Sequence, residues 1–117
     1  MTAGSGDDLV NGGSGAGADT LDGDAGNDVL EGMDGGDTLK DSGGNNPFNG
    51  GTGSDVLIEN TGNELFIGAA GNDTITTGAG ADLIAFNRGD GQDIVNASTG
   101  EDNTLSLGGG IGYNDLS

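Results

Sequence analysis

One large apolar residue recurs at a fixed spacing through most of the chain, and the positions around it are glycine, acid and small polar residues. Gly50-Gly51-Thr52-Gly53-Ser54-Asp55-Val56-Leu57-Ile58 serves as the reference unit: glycine at positions one, two and four, aspartate at six, a large apolar residue at eight. Sliding it along the chain aligns units with position six at Asp8, Asp19, Asp28, Asp37, Asn46, Asp55, Glu64, Asp73, Asp82 and Asp93. The spacing is nine residues except for two extra residues at Gly12-Gly13 and two at Phe86-Asn87. Position eight plays no part in that alignment, yet it reads Val10, Leu21, Leu30, Leu39, Phe48, Leu57, Phe66, Ile75, Ile84 and Val95. Such residues make up about a fifth of the chain, so ten in register by chance is on the order of one in ten million. A low-complexity linker keeps no such register.

Each unit predicts one turn and one short strand. Glycine supplies the positive φ angles of the first six positions. Asparagine at position five (Asn27, Asn45, Asn63, Asn72) is expected to accept the left-handed region as well. The last three residues, such as Val56-Leu57-Ile58, predict a strand whose middle side chain points inward. Two units then complete one coil of 18 residues, with turns on opposite edges and parallel strands ~4.8 Å apart. After Val95 the register weakens. Asn103-Thr104-Leu105-Ser106-Leu107 reads as a further unit, and residues 108–117 read as a tail or cap. The expected organisation is an all-β solenoid over residues 1–107, two nine-residue repeats per coil, followed by that tail.

Composition then narrows the chemistry. Of 117 residues only 31% are hydrophobic and 3% aromatic, while 28 are glycine. A chain this poor in apolar bulk stays disordered unless something else replaces a core. Twenty acidic residues face two basic ones, for a net charge of −18. That excludes nucleic acid as a partner and argues against anionic membrane surfaces. No apolar run reaches the length of a membrane span. Cysteine and histidine are absent, which removes disulfides, thiolate sites and imidazole chemistry. Oxygen ligands remain, and they suit hard cations. Met1-Thr2-Ala3-Gly4 enters the pattern midway, so the chain is expected to be part of a longer one.

Stacked coils put position six over position six two units later. One ladder then holds Asp19, Asp37, Asp55, Asp73 and Asp93, and the other holds Asp8, Asp28, Asn46, Glu64 and Asp82. Carboxylates ~4.8 Å apart repel by roughly 3 kcal/mol per pair at an effective dielectric near 20. A whole domain is stable by only ~5–15 kcal/mol. Divalent cations between the rungs reverse the sign, and calcium fits best because it accepts six to eight oxygens in flexible geometry. Paired carboxylates also run glycoside chemistry. An interior of one apolar side chain per repeat leaves no room for a substrate pocket, so the chain is not expected to be an enzyme.

These motifs resemble the repeats-in-toxin family of secreted bacterial proteins. Gly50 to Ile58 matches its nonapeptide in full, while Gly68 to Ile75 and Thr77 to Ile84 match closely. Phe86-Asn87-Arg88-Gly89-Asp90-Gly91-Gln92-Asp93 looks like the segment that often ends such arrays. The resemblance covers about residues 3 to 107 and implies a right-handed parallel β-roll that folds on meeting extracellular calcium after type I secretion. It also implies several calcium ions. Each would lie between two position-six carboxylates and four carbonyls, from positions two and four of one turn and one and three of the next.

Carried over, the ion between Asp55 and Asp73 would meet the carbonyls of Gly51, Gly53, Gly68 and Ala70. That between Asp37 and Asp55 would meet Met33, Gly35, Gly50 and Thr52. That between Asp19 and Asp37 would meet Gly15, Gly17, Gly32 and Asp34. On the other ladder, the ion between Asp8 and Asp28 would meet Gly4, Gly6, Gly23 and Ala25. Asn46 and Glu64 depart from the family pattern, so the sites from Asp28 through Asn46 to Glu64 are expected to be weak, empty or differently coordinated. Asp82 ends that ladder, and the Phe86-Asn87 insertion shifts the turn of Asp93.

Two functions follow from the resemblance. The first is a structural calcium-binding module of a larger secreted, extracellular protein. The second is a calcium-dependent face for an acidic polysaccharide or for the rest of the parent chain. Lys40, Arg88 and Tyr113 are too few and too scattered to make a sugar-binding stripe.

Overall fold

The computed structural model describes residues 1–86, 91–97 and 104–107. Alternate repeats feed alternate sheets. β1 (Thr2–Ser5), β3 (Thr20–Ala25), β5 (Thr38–Lys40), β7 (Val56–Ile58), β9 (Thr74–Gly78) and β11 (Ile94–Ala97) neighbour one another in the first sheet. β2 (Leu9–Asn11), β4 (Val29–Glu31), β6 (Pro47–Thr52), β8 (Leu65–Ala70), β10 (Leu83–Phe86) and β12 (Thr104–Leu107) do so in the second. All neighbouring pairs are parallel. The described residues contain no helix, hence none long and apolar enough to cross a membrane. The architecture is the all-β parallel roll of two repeats per coil.

Register follows position eight. Leu39 pairs with Leu57 and Leu57 with Ile75, each 18 residues on. Across the two insertions Val10 still pairs with Leu30 and Val95 with Ile75. Leu105 lies opposite Ile84, so the weak unit after Val95 does form a rung. From Val10 to Ile84 every position-eight side chain is at most 1% exposed, and Val95 packs against them partly buried. Phe48 and Phe66 stack with ring centroids 5.1 Å apart, the widest layer of the core. Full burial of each such side chain contributes about 1.5–3 kcal/mol.

The turns are more ordered than a repeat-by-repeat reading predicts. β3, β6 and β8 run six residues, because the pairing continues into the turn: Gly51 partners Ala69 and Thr52 partners Ala70. Gly53 N donates to Ala70 O at 2.9 Å, and Gly35 N to Thr52 O at 2.9 Å. Positive φ falls at positions two and four. Asp24 (78°), Met33 (79°) and Ala69 (71°) adopt it at position two without being glycine. At position four only glycine fits, since a β-carbon on Gly53 (φ 123°) would overlap the Gly35 carbonyl of the coil before.

Two expectations need correction. None of Asn27, Asn45, Asn63 or Asn72 has positive φ; their side-chain carbonyls instead serve the neighbouring coil. The first insertion also lies further on than Gly12-Gly13. Gly12 N donates to Glu31 O at 2.8 Å, as Gly32 N does to Asn49 O at 2.9 Å, so Gly12 occupies position one. Gly13, with φ of 100°, matches position two. The extra residues therefore bulge between Gly13 and Asp19, where no strand register has to absorb them. Residues 87–90 of the second insertion, Arg88 included, and the 108–117 tail with Tyr113 lie outside the described residues.

Candidate metal centre

On the edge that leads into the first sheet, position six builds a continuous ladder. Asp19 N donates to Asp37 Oδ1 (2.8 Å), Asp37 N to Asp55 Oδ1 (2.8 Å), Asp55 N to Asp73 Oδ1 (2.9 Å) and Asp73 N to Asp93 Oδ1 (2.9 Å). Each carboxylate thus caps an amide of the coil before it. The second oxygens of Asp37 and Asp55 are buried and have no hydrogen-bond partner. Leaving a carboxylate oxygen dry and unpaired is costly unless a positive charge reaches it. Burial accordingly holds the Asp55 carboxyl above the usual carboxylate range.

The glycines at position one show what space those oxygens face. A β-carbon on Gly32 would lie 2.7 Å from Asp37 Oδ2 and 2.5 Å from the carbonyl oxygen of Gly50. On Gly12 it would lie 3.0 Å from Asp19 Oδ2 and 2.6 Å from Gly32 O. On Gly50 it would lie 2.9 Å from Gly68 O and press on Asp55 Oδ2. At three successive rungs, one coil's carboxylate oxygen and the next coil's position-one carbonyl point into the same small space. The polar atoms nearest to it are oxygens, one of them charged, which is the donor type a calcium ion takes.

Several of the remaining carbonyl residues lie in turns stacked on one another. Met33 O accepts from Thr52 N at 2.8 Å, Gly51 lies against the Met33 carbonyl, and Asp34 bridges to Thr52. Gly17 lies under Gly35. Gly15 is displaced, because Gly13 holds position two of that turn. At the first coil Gly4 pairs with Asp24 and Gly6 N donates to Ala25 O at 2.9 Å, which brings Gly4, Gly6, Gly23 and Ala25 into stacked turns beside Asp8 and Asp28.

The other edge varies the side chains and keeps the ladder at every rung but the one between Asn46 and Glu64, where Glu64 caps no amide. Asp8 N donates to Asp28 Oδ1 (2.7 Å), Asp28 N to Asn46 Oδ1 (2.6 Å) and Glu64 N to Asp82 Oδ1 (3.0 Å). Asn46 therefore caps an amide as an aspartate would, without the charge. Glu64 is 3% exposed and neither of its oxygens has a hydrogen-bond partner. Burial, then the facing Asp82 carboxylate, then the charge of Glu59, push its pKa up to about 9. Two carboxylates in contact bond only when one is protonated or a cation joins them.

Two further acids stand on this edge that the repeat pattern did not single out. Asp41 and Glu59 occupy position one, and both are buried, at 6% and 2% exposure. Asp41 Oδ1 accepts from Ser42 N (2.7 Å) and Gly43 N (3.0 Å), and Glu59 Oε1 accepts from Thr61 N (3.0 Å). Their other oxygens are buried without a hydrogen-bond partner. Burial raises both pKa values, and the neighbouring Asp28 adds to the rise at Asp41. The available signal was their place: position one is glycine at Gly23, Gly32, Gly50 and Gly68. A second missed feature is an outer ladder at position five, where Asn27 N meets Asp7 Oδ1 (3.0 Å), Asn45 N meets Asn27 Oδ1 (2.9 Å), Asn63 N meets Asn45 Oδ1 (3.0 Å) and Ala81 N meets Asn63 Oδ1 (2.9 Å).

Among the described residues no three acidic side chains converge as a metal cage. Each centre instead offers a pair of carboxylates and the turn carbonyls around them. Oxygen-lined turns stacked along both edges of a parallel roll define a metal-binding solenoid. A family model for the RTX calcium-binding nonapeptide repeat matches in four copies, over residues 1–17, 15–46, 40–58 and 60–93. The chain belongs to that family and carries its calcium-binding repeats. No curated protein and no solved structure matches it.

Proposed function

We propose that this roll is a structural module of a larger secreted bacterial protein and that it folds on binding calcium outside the cell. The observation that carries the reading is the pair of buried, unpartnered oxygens on Asp37 and Asp55, each aimed at a carbonyl of the next coil. A core of one apolar side chain per repeat cannot also offset the repulsion of stacked carboxylates. Metal binding energy then becomes folding energy. Ions lie between the position-six carboxylates, Asp19 to Asp37, Asp37 to Asp55 and Asp55 to Asp73, and between Asp8 and Asp28. Affinity in the ~0.1–1 mM range, typical of extracellular modules, would keep the chain unfolded inside the cell and fold it outside. The reading assigns the module no catalytic step.

Circular dichroism during a calcium titration tests it. A disordered spectrum in chelator should convert cooperatively to a strand spectrum as calcium is added. A full strand spectrum in excess chelator at neutral pH would sink the reading.

A second reading, docking of another part of the parent chain, draws on the outer face of the second sheet. Leu9, Val29 and Leu83 stand outward and exposed there, and Pro47, Leu65 and Leu83 line an open groove of about 660 Å³. An acidic polysaccharide is less favoured, since Lys40 on the opposite sheet is already paired with Asp22 at 2.7 Å.

A further inference from the structure

Acids at position one occur in two described turns, and both flank the same neutral rung. Asp41 opens the turn that contains Asn46, and Glu59 opens the next turn on that edge. Their side chains occupy the space that position-one glycine leaves open on the opposite edge. A β-carbon on Gly23 would lie 2.6 Å from Asp28 Oδ2 and would overlap Asp41 Oδ2. The carboxylates of Asp28 and Asp41 therefore converge beside Gly23, as Asp37 Oδ2 and the Gly50 carbonyl converge beside Gly32. One coil further on, Glu59 neighbours the Asn46 amide, Asp41 and Glu64.

Counting carboxylates gap by gap shows a regularity that the ladder alone hides. Between the first two coils on this edge the gap has Asp8 and Asp28. The next has Asp28 and Asp41, the third Glu59 and Glu64, and the fourth Glu64 and Asp82. Every gap holds two, as every gap on the other edge does through position six. Without Asp41 and Glu59 the two gaps beside Asn46 would hold one each. Every acid of those two gaps is at least nine-tenths buried, and Asp28 Oδ2, Asp41 Oδ2, Glu59 Oε2 and both Glu64 oxygens lack a hydrogen-bond partner.

We propose that Asp41 and Glu59 are calcium ligands that replace the charge missing at Asn46, so that one ion joins Asp28 to Asp41 and another joins Glu59 to Glu64. The inference rests on the calcium reading above and adds to it a side-chain ligand where the repeat uses only a glycine carbonyl. Turn carbonyls complete the oxygen shell; Asp41 brings its charge from the coil that faces Asp28, whereas Glu59 stands in the same turn as Glu64. Sites beside Asn46 are then differently coordinated rather than empty.

The test is calcium stoichiometry on the whole chain, by equilibrium dialysis, for the native protein and for the Asp41→Asn, Glu59→Gln double variant. These amides keep the volume and remove the charge. The double variant should bind about two fewer ions at saturation while keeping its strand spectrum in calcium. An unchanged count overturns the proposal. Adding Asn46→Asp to the double variant should restore the native count, and a loss that it does not restore overturns the charge replacement. If the double variant does not fold, crystals of the native chain grown in calcium decide the question. An ion within about 2.3–2.6 Å of both Asp28 Oδ2 and Asp41 Oδ2 supports the proposal. Ions along Asp19 to Asp73 with none beside Asp41 or Glu59 overturn this inference alone. Ions on neither edge overturn the calcium reading beneath it.

Discussion

The edge of Asp19, Asp37, Asp55 and Asp73 repeats one arrangement coil after coil, whereas the edge of Asp8, Asp28, Asn46, Glu64 and Asp82 changes its chemistry from rung to rung. At Asn46 the backbone does not register the difference, whereas at Glu64 the cap is lost. Asn46 Oδ1 takes the amide of Asp28 at 2.6 Å, much as Asp55 Oδ1 takes that of Asp37 at 2.8 Å. What capping needs is an oxygen at a fixed reach, and charge is a separate requirement met by other residues. Position five differs in the opposite sense. The variable edge has the outer ladder of Asp7, Asn27, Asn45 and Asn63, while the regular edge has Ala18, Gly36 and Ser54 at the matching places and a single such bond at its end, from Gln92 N to Asn72 Oδ1 at 2.9 Å. One edge is held mainly through buried charge, and the other also through exposed neutral hydrogen bonds that need no ion.

The largest way to break this comparison is Asp55→Ala. Its carboxylate borders two gaps and caps the Asp37 amide, so its loss should remove about two ions and raise the calcium midpoint for folding at least tenfold, a change of about 1.4 kcal/mol or more. A calcium titration by circular dichroism reads both the midpoint and the final strand content. A midpoint within twofold of the native one would mean that the regular edge does not depend on its charges.

Acidity should separate the edges next. In the absence of calcium, burial raises the pKa of Asp55 on one edge and of Asp41, Glu59 and Glu64 on the other. An acid whose pKa is higher folded than unfolded favours the fold where it is protonated. That contribution is complete below the unfolded value and disappears as pH rises through the folded one. For Glu64 the window runs from the ordinary 4.5 to about 9. In chelator, therefore, strand signal should grow as pH falls from about 8 toward 4. Glu64→Gln should flatten the alkaline part of that curve, and a native curve flat throughout would contradict the neutral-carboxylate account.

The smallest expected effect isolates the outer ladder. Asn63→Ala deletes the acceptor for Ala81 N and should cost about 0.5–1.5 kcal/mol in saturating calcium, read by thermal melting. Ser54→Ala, at the same position on the regular edge, should leave the melting temperature within about a degree. Equal effects would show that position five does not distinguish the edges.

The core was legible because it repeats. Val10 to Val95 stand in one register, and sheet pairing, burial and coil length all follow from that register. The ladders at position six were legible for the same reason. What escaped the sequence lies where one coil meets another. Asparagine at position five looks like a turn former within its own unit, yet its partner is an amide usually 18 residues away. Met33 and Ala69 hold a positive φ that no local rule assigns them, because stacking fixes the turn around them. Asp41 and Glu59 break the repeat, so a search for the repeat passes over them. Their meaning appears only beside Asn46 and Asp28 in neighbouring coils.

The alternation of sheets gives the chain a parity. Each repeat is odd or even according to the edge its turn occupies, and a residue's surroundings depend on that label as much as on its own identity. Removing 18 residues, 50–67 for example, takes out one odd and one even repeat, and everything downstream keeps its neighbours. Removing nine, 50–58 for example, inverts the label of every later repeat, so that Glu64 would arrive on the ladder of Asp37 and Asp73 on that of Asn46. The two insertions are harmless by this measure, since Val10 still meets Leu30 across the first and Val95 still meets Ile75 across the second. Solenoids of this kind lengthen and shorten by whole coils, and a half-coil step costs the match between the two edges even where every repeat, taken singly, remains sound.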